Sequence, residues 1–94
     1  MELSVIVPCL NEEANVPELV SRLGDVFKVG AIDGELILVD DGSTDGTGDV
    51  AEQHAGAQVL RQANRGKGAA IRAAIPHIDG DIVVIQDADI RAAE

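Results

Sequence analysis
Asp87 and Asp89 stand two residues apart, directly after the apolar run Ile82-Val83-Val84-Ile85-Gln86. Side chains at that spacing on an extended chain point the same way. The two carboxylates therefore aim at one spot just past a strand end. Like charges that close are unfavourable unless something positive sits between them. A hard divalent cation such as Mg2+ or Mn2+ meets that need, prefers oxygen ligands and binds phosphates as well. Taken alone, an Asp-x-Asp pair is more often a solvated acidic turn. Its meaning depends on what else the chain brings to the same place.

The elements that must position these groups follow from apolar patterning. Ile82 to Ile85 are four β-formers in a row and predict a strand buried on both faces. Leu3 to Val7 predict a first strand, ended by Pro8, which cannot donate to a ladder. After the loop Cys9 to Ala14, Asn15 with Glu18 three residues on reads as a capping box, and Pro17 suits a first helical turn. Val16, Leu19, Val20, Leu23, Val26 and Phe27 then give a helix one apolar face, and Gly30 closes it. Glu35 to Val39 predict a second strand, running into Asp40-Asp41-Gly42-Ser43-Thr44-Asp45-Gly46-Thr47. That turn opens a second helix, capped by Ser43, Thr44 or Asp45 and running to about Ala55 before Gly56. Gln58 to Arg61 are more polar, as an edge strand should be. The basic loop Ala63 to Gly68 leads into a third helix, Ala69 to Ile75, stopped or kinked by Pro76.

The order β-α-β-α-β-α-β, with apolar strands, predicts a parallel sheet covered by helices. Right-handed crossovers favour the spatial order 3-2-1-4. Such a sheet has a topological switch between strands 1 and 4, and ligands bind at the strand carboxyl ends beside it. Pro8 to Glu12, Asp40-Asp41 and Asp87-Asp89 all fall on that edge. The convergence turns an acidic turn into a candidate site. Asp40 or Asp41 could instead be a turn acid satisfied by the next helix N-terminus. Lys67 and Arg65 flank a glycine-bearing helix start, where N–H groups face anions, or else form a solvated rim.

The 94 residues suffice for one small domain. With a single aromatic residue, Phe27, the core must be built from Val, Ile, Leu and Ala. A net charge of −10 argues against binding nucleic acid or anionic lipid. The single cysteine, Cys9, makes no internal disulfide and no zinc site; beside Pro8 it reads as a small packed residue rather than a nucleophile. The start Met1-Glu2-Leu3-Ser4 lacks the basic and apolar regions of a signal peptide, and no apolar run approaches the ~20 residues of a membrane helix. A cytoplasmic location is expected.

Four blocks together resemble the successive signatures of family-2 glycosyltransferases. They are Val5-Ile6-Val7-Pro8 with Asn11-Glu12-Glu13; Leu38-Val39-Asp40-Asp41 through Thr47; Asn64-Arg65-Gly66-Lys67-Gly68 through Arg72; and Gly80-Asp81 through Asp89. The likeness is greatest to the polyprenyl-phosphate branch, such as dolichyl-phosphate mannose synthase. It implies a GT-A half with a Rossmann-like α/β/α sandwich, a GDP- or UDP-sugar donor, Mg2+ or Mn2+, and transfer with inversion to an acceptor such as a polyprenyl or dolichyl phosphate. Carried over by position, Pro8, Leu10 and Glu12 would border the nucleoside, and Val39 and Asp41 would hold base or ribose. Ala88 would contact the ribose side. Separately from the carry-over, the glycine-bearing helix start is what would bring Lys67 toward the diphosphate. Asp87 and Asp89 would hold the metal-diphosphate and so carry the catalytic role. Residues 1–94 would form the nucleotide-sugar-binding part, ending before the acceptor half, and a full-length relative would be membrane-peripheral. Arg91 departs from the pattern, since a cation there would repel the ion. The chain alone is expected to bind donor without turnover and to self-associate. A receiver-like Mg2+-binding phospho-acceptor module and an inert scaffold are the alternatives.

Overall fold
A computed structural model describes residues 1–54 and 57–88. The expected end of the second helix at Ala55-Gly56, together with Asp89 and Arg91, lies outside the described residues. The chain forms β1 (Leu3–Cys9), α1 (Val16–Val29), β2 (Gly34–Asp41), α2 (Thr47–Glu52), β3 (Ala57–Gln62), α3 (Lys67–Ala74), a short 3-10 turn (Ile75–His77) and β4 (Ile82–Ile85). The four strands make one parallel sheet in the order β3-β2-β1-β4, as the crossover argument predicts. No helix among the described residues is long and apolar enough to cross a membrane.

Alternation along the strands divides the core into two layers. Val5, Val7, Leu36 and Leu38 face α1 and α2, meeting Val16, Leu19 and Ala51. Ile6, Ile37 and Val39 face the other way and meet Ala70 and Ala74 of α3, whose small side chains let that helix lie close to the sheet.

Two strands differ from expectation. Pro8 does not end β1, which continues to Cys9 in register with Val39 and Asp40 of β2. What stops at Pro8 is the pairing with β4. The Ile6 carbonyl accepts from Gln86 N–H at 2.9 Å, so Ile6 and, two residues on, Pro8 turn their backbone groups toward β4. Lacking an N–H, Pro8 cannot extend that ladder, and β1 and β4 part there. The second difference is β4 itself, which is not buried on both faces. Ile82 is 63% exposed and even Val84 is 42% exposed. Strand β4 is the sheet edge beside β1, whereas α1 lies over β2 and α3 over β1 and β2, so both helical layers stop short of it. An apolar run marks a strand meant to be covered, and the cover is not among the described residues.

The ends of α1 are also built differently from the pattern. Asn15 makes no capping bond; its side chain donates to Glu12 instead, and Glu18 pairs with Arg22 one turn on. At the far end Ala31 N–H bonds the Lys28 carbonyl and Ile32 N–H bonds the Phe27 carbonyl, which is a Schellman closure. The left-handed residue that this closure requires is Ala31, at φ 51°, not Gly30, at φ −82°. Gly30 serves space instead, since a Cβ there would lie 3.0 Å from the Ile32 side chain.

At the amino ends of the strands, opposite the candidate site, a polar knot around the buried Ser4 fastens the turn before β4. The Ser4 hydroxyl donates to Glu35 and accepts from Gly80 N–H at 2.8 Å; Asp79 N–H donates to the same Glu35 carboxylate at 2.7 Å. A Cβ on Gly80 would come within 2.5 Å of the Ser4 nitrogen, so only glycine lets the turn approach β1. The Ser4 hydroxyl foremost, then the Asp79 and Gly80 backbone N–H groups, hold the Glu35 carboxyl below its ordinary 4.5.

Two outcomes follow from these local geometries. Ala31→Gly relieves a left-handed alanine and is expected to stabilise the fold by about 0.5–1 kcal/mol, after the entropic cost of glycine; an unchanged or lower urea midpoint would count against the closure described. Because the Glu35 carboxyl is depressed in the folded state, its contribution is present above about pH 4.5 and is lost as pH falls through its folded value. Denaturation from about pH 6 to pH 3 should therefore show a steeper loss of stability in the wild type than in Glu35→Gln. Parallel curves would show that the knot does not contribute.

Candidate functional site
The carboxyl rim of the sheet is made of loops whose backbone N–H groups no ladder satisfies. Side chains of neighbouring loops satisfy them. Asn11, left-handed at φ 53°, receives the Thr44 N–H on its side-chain oxygen at 2.9 Å, while its own N–H donates to Ser43 Oγ at 2.9 Å. Glu12 N–H donates to Thr47 Oγ1 at 3.0 Å, and Gly46 N–H to Glu13 Oε1 at 2.8 Å. Asp45 accepts from both the backbone N–H and the hydroxyl of Thr47, closing the first turn of α2. Asp45, among the three expected caps, is the one that serves α2, although Gly46 occupies the cap position. Asn-Glu-Glu and Asp-Gly-Ser-Thr-Asp-Gly-Thr thus form one hydrogen-bonded frame.

Asp40 and Asp41 belong to β2 itself, so they point to opposite faces. Asp40 accepts from Ser43 N–H at 3.1 Å on the α2 side. Its neighbour across the ladder is Arg61, which pairs with Asp49 at 2.8 Å and Glu52 at 3.0 Å. Asp41 turns to the α3 side and is 4% exposed. Its Oδ1 accepts from Gln62 Nε2 at 2.8 Å and from Arg65 N–H at 2.9 Å; its Oδ2 accepts from Gly66 N–H at 2.9 Å. These donors, Gln62 first, hold the Asp41 carboxyl below the usual carboxylate range. Both aspartates are turn acids in part, but each serves a different loop. The loop after β3 is further seated by Gly42, at φ 75°, where a Cβ would lie 2.5 Å from the Asn64 nitrogen.

Where β1 and β4 part, a cleft of about 260 Å3 opens. Of the residues singled out in the sequence, Pro8, Leu10, Glu12, Asp41, Lys67, Asp87 and Ala88 line it. Four stretches of chain, residues 8–12, Asp41, 64–67 and 87–88, therefore share one cleft. Val39 does not join them. Its side chain is fully buried with Ile6, Ile37 and Ala70 in the layer beneath α3: it shares the face of Asp41 but lies two residues deeper in the strand, where the helix covers it. Arg65 contributes its backbone, and its exposed side chain is not part of the lining. The sequence reading missed Asn64, Gly66 and Gln62. The first two sit in the basic loop that was noted for its charges, and the third is legible only through its register with Asp41.

The cleft is electrically lopsided. Cys9 lies in its floor, 3% exposed, and burial foremost, then the charges of Asp40, Glu12 and Asp87, pushes its thiol up to about 12. A thiol held so firmly protonated packs and does not attack. Lys67, at the start of α3, supplies the positive side. Among the described residues no three His, Cys, Asp or Glu side chains converge closely enough to hold a metal between them. Asp87 offers a carboxylate at the cleft mouth, a donor suited to a hard cation that takes its other oxygens from a phosphate ligand.

Comparison with known proteins agrees with this geometry. The model of glycosyl transferase family 2 matches residues 4–94. The chain belongs to glycosyl transferase family 2. Among curated members, it is 36% identical over 96 residues to undecaprenyl-phosphate 4-deoxy-4-formamido-L-arabinose transferase of Enterobacter sp. (strain 638) and 33% identical to the transferase of that name from Salmonella choleraesuis. Each match takes in 96% of this chain and 29% of the relative, so the chain spans under a third of their length. Among solved structures it resembles glucosyl-3-phosphoglycerate synthase of Mycobacterium tuberculosis in complex with Mn2+, UDP and phosphoglyceric acid, at a TM-score of 0.77 and 35% identity over 94% of this chain and 33% of that one. The same synthase with Mg2+ and UDP matches at a TM-score of 0.77 and 34% identity. The family-2 fold expected from the four blocks is thereby shown, and a receiver-like module is set aside.

Proposed function
We propose that this chain is the donor-binding part of an inverting family-2 glycosyltransferase, and that its cleft takes the nucleoside diphosphate of a sugar donor together with Mg2+ or Mn2+. The observation that carries the proposal is the meeting of Asp41, Lys67 and Asp87 in one cleft at the switch between β1 and β4. The base and ribose would lie between Pro8, Leu10 and Asp41, with Lys67 beside the diphosphate. Asp87 would hold the cation, joined by Asp89; the cation would neutralise charge on the departing diphosphate. A uridine nucleotide is the first choice, because the solved relatives were crystallised with UDP. A polyprenyl phosphate is the acceptor class favoured by the curated relatives. GDP stays the competing donor base.

Calorimetric titration separates these readings. UDP is expected to bind in the presence of Mn2+, more weakly without it, and at least about tenfold more weakly to Asp87→Ala, which removes a charge-assisted ligand. GDP in place of UDP tests the base. If neither nucleotide binds with Mn2+ present, the proposal is wrong.

We further propose that the bare apolar faces of β4 are covered by a second copy of the chain. Support comes from the exposure of Ile82, Val83, Val84 and Ile85 at a sheet edge that is unpaired among the described residues, which favours edge contact. Sedimentation equilibrium should show mass rising with concentration, reduced by Val84→Lys; a monomer at the highest concentration would rule this out.

A further inference from the structure
Asp41 lines the cleft with its carboxylate already engaged by the protein. Three donors converge on it: the Gln62 amide at 2.8 Å, Arg65 N–H at 2.9 Å and Gly66 N–H at 2.9 Å. A carboxylate offers roughly four acceptor positions, so Asp41 keeps one, on Oδ2. Gly66 is the cap residue of α3 and has no side chain to cap with; Asp41, on β2, sets a carboxylate beside that helix start by taking the Arg65 and Gly66 amides. The loop so fastened carries Asn64, Gly66 and Lys67, which form one wall of the cleft. Gln62 is level with Asp41 on the neighbouring strand, half-buried, and shares Oδ1 with the Arg65 amide. Without the Gln62 amide, the Asp41 side chain loses the contact that fixes its rotamer from the strand side, leaving only the loop it is meant to hold.

We propose that Gln62 is a positioning residue for donor binding: it orients Asp41 so that Asp41 both anchors the cleft wall at Arg65 and Gly66 and presents its last acceptor position to the ligand. This rests on the nucleotide-binding reading above and adds to it a residue that makes no contact with the ligand. It also explains why Asp41 is a strand residue rather than a loop residue. The rigid sheet supplies the fixed end of the clamp, and Gln62 transfers that rigidity to the carboxylate.

The test uses the whole chain and two variants, Gln62→Ala and Gln62→Glu. Gln62→Glu keeps the shape but sets a second carboxylate against Asp41. Amide hydrogen exchange at Arg65 and Gly66 is followed without ligand, and UDP-Mn2+ affinity is measured in parallel. Exchange at those two amides is expected to quicken about tenfold in Gln62→Ala and more in Gln62→Glu, with affinity falling about fivefold and more than tenfold respectively. Exchange in the α1 and β1 core should be unchanged, which a general loss of stability would not allow. Wild-type exchange at Arg65 and Gly66 in both variants overturns the proposal, as does quickened exchange with undiminished affinity. If wild-type chain binds no nucleotide, the donor-binding reading fails, and with it the claim for ligand positioning; the exchange measurement then still decides whether Gln62 holds the clamp.

Discussion
Loops at the carboxyl rim of a parallel sheet carry backbone N–H groups that no ladder reaches, and a buried donor left unpaired costs about 1–3 kcal/mol. This requirement bears on the part-buried amides of Ser43, Thr47, Arg65 and Gly66; the exposed amides of Thr44 and Gly46 are held in the same manner. Asp40, Asp41, Asp45, Glu13 and Asn11 each accept from the backbone of a loop other than, or just beyond, their own. Among the described residues, no buried side-chain nitrogen or oxygen lacks a partner. The abundance of acids at the rim is therefore first a matter of satisfying donors, and only then of ligand chemistry.

The same economy shapes the cleft. Pro8 withholds one N–H on the β4 side, the ladder between β1 and β4 ends at Ile6 and Ile85, and the strands separate into a space lined by Glu12, Asp41 and Asp87. Lys67 lines the same cleft at the start of a helix whose cap residue, Gly66, has its amide tied to Asp41. A site built this way is negative on one side and positive on another. Such a field suits a cation and a diphosphate bound together better than either alone.

Much of this was legible in the chain. The apolar runs, their spacing and the helix starts predicted the element order, the parallel sheet and its sequence of strands. The four blocks that suggested family 2 fall on the rim loops where the cleft forms. Three features were not legible. Ending β2 at Val39 hid the fact that Asp40 and Asp41 extend the strand and so separate onto two faces. Asn15 and Glu18 match a capping box by spacing alone, but Glu12 competes for the Asn15 amide and wins. The run Ile82–Ile85 reads as buried because composition records what a strand is suited for, not what covers it.

By itself the sequence determined the local preferences: which segments are extended, which are helical, where turns fall, and that acids gather at strand ends. These depend on periods of two and 3.6 residues and on turn chemistry, all short-range. Only the tertiary structure decided which carboxylate serves which loop, that Val39 is core while Asp41 meets the cleft, and that Gln62 stands against Asp41. Those outcomes depend on register between strands twenty residues apart and on which helix covers which face. A one-residue slip would carry Val39 and Asp41 together to the other face and take Asp41 away from Gln62, without altering the local pattern.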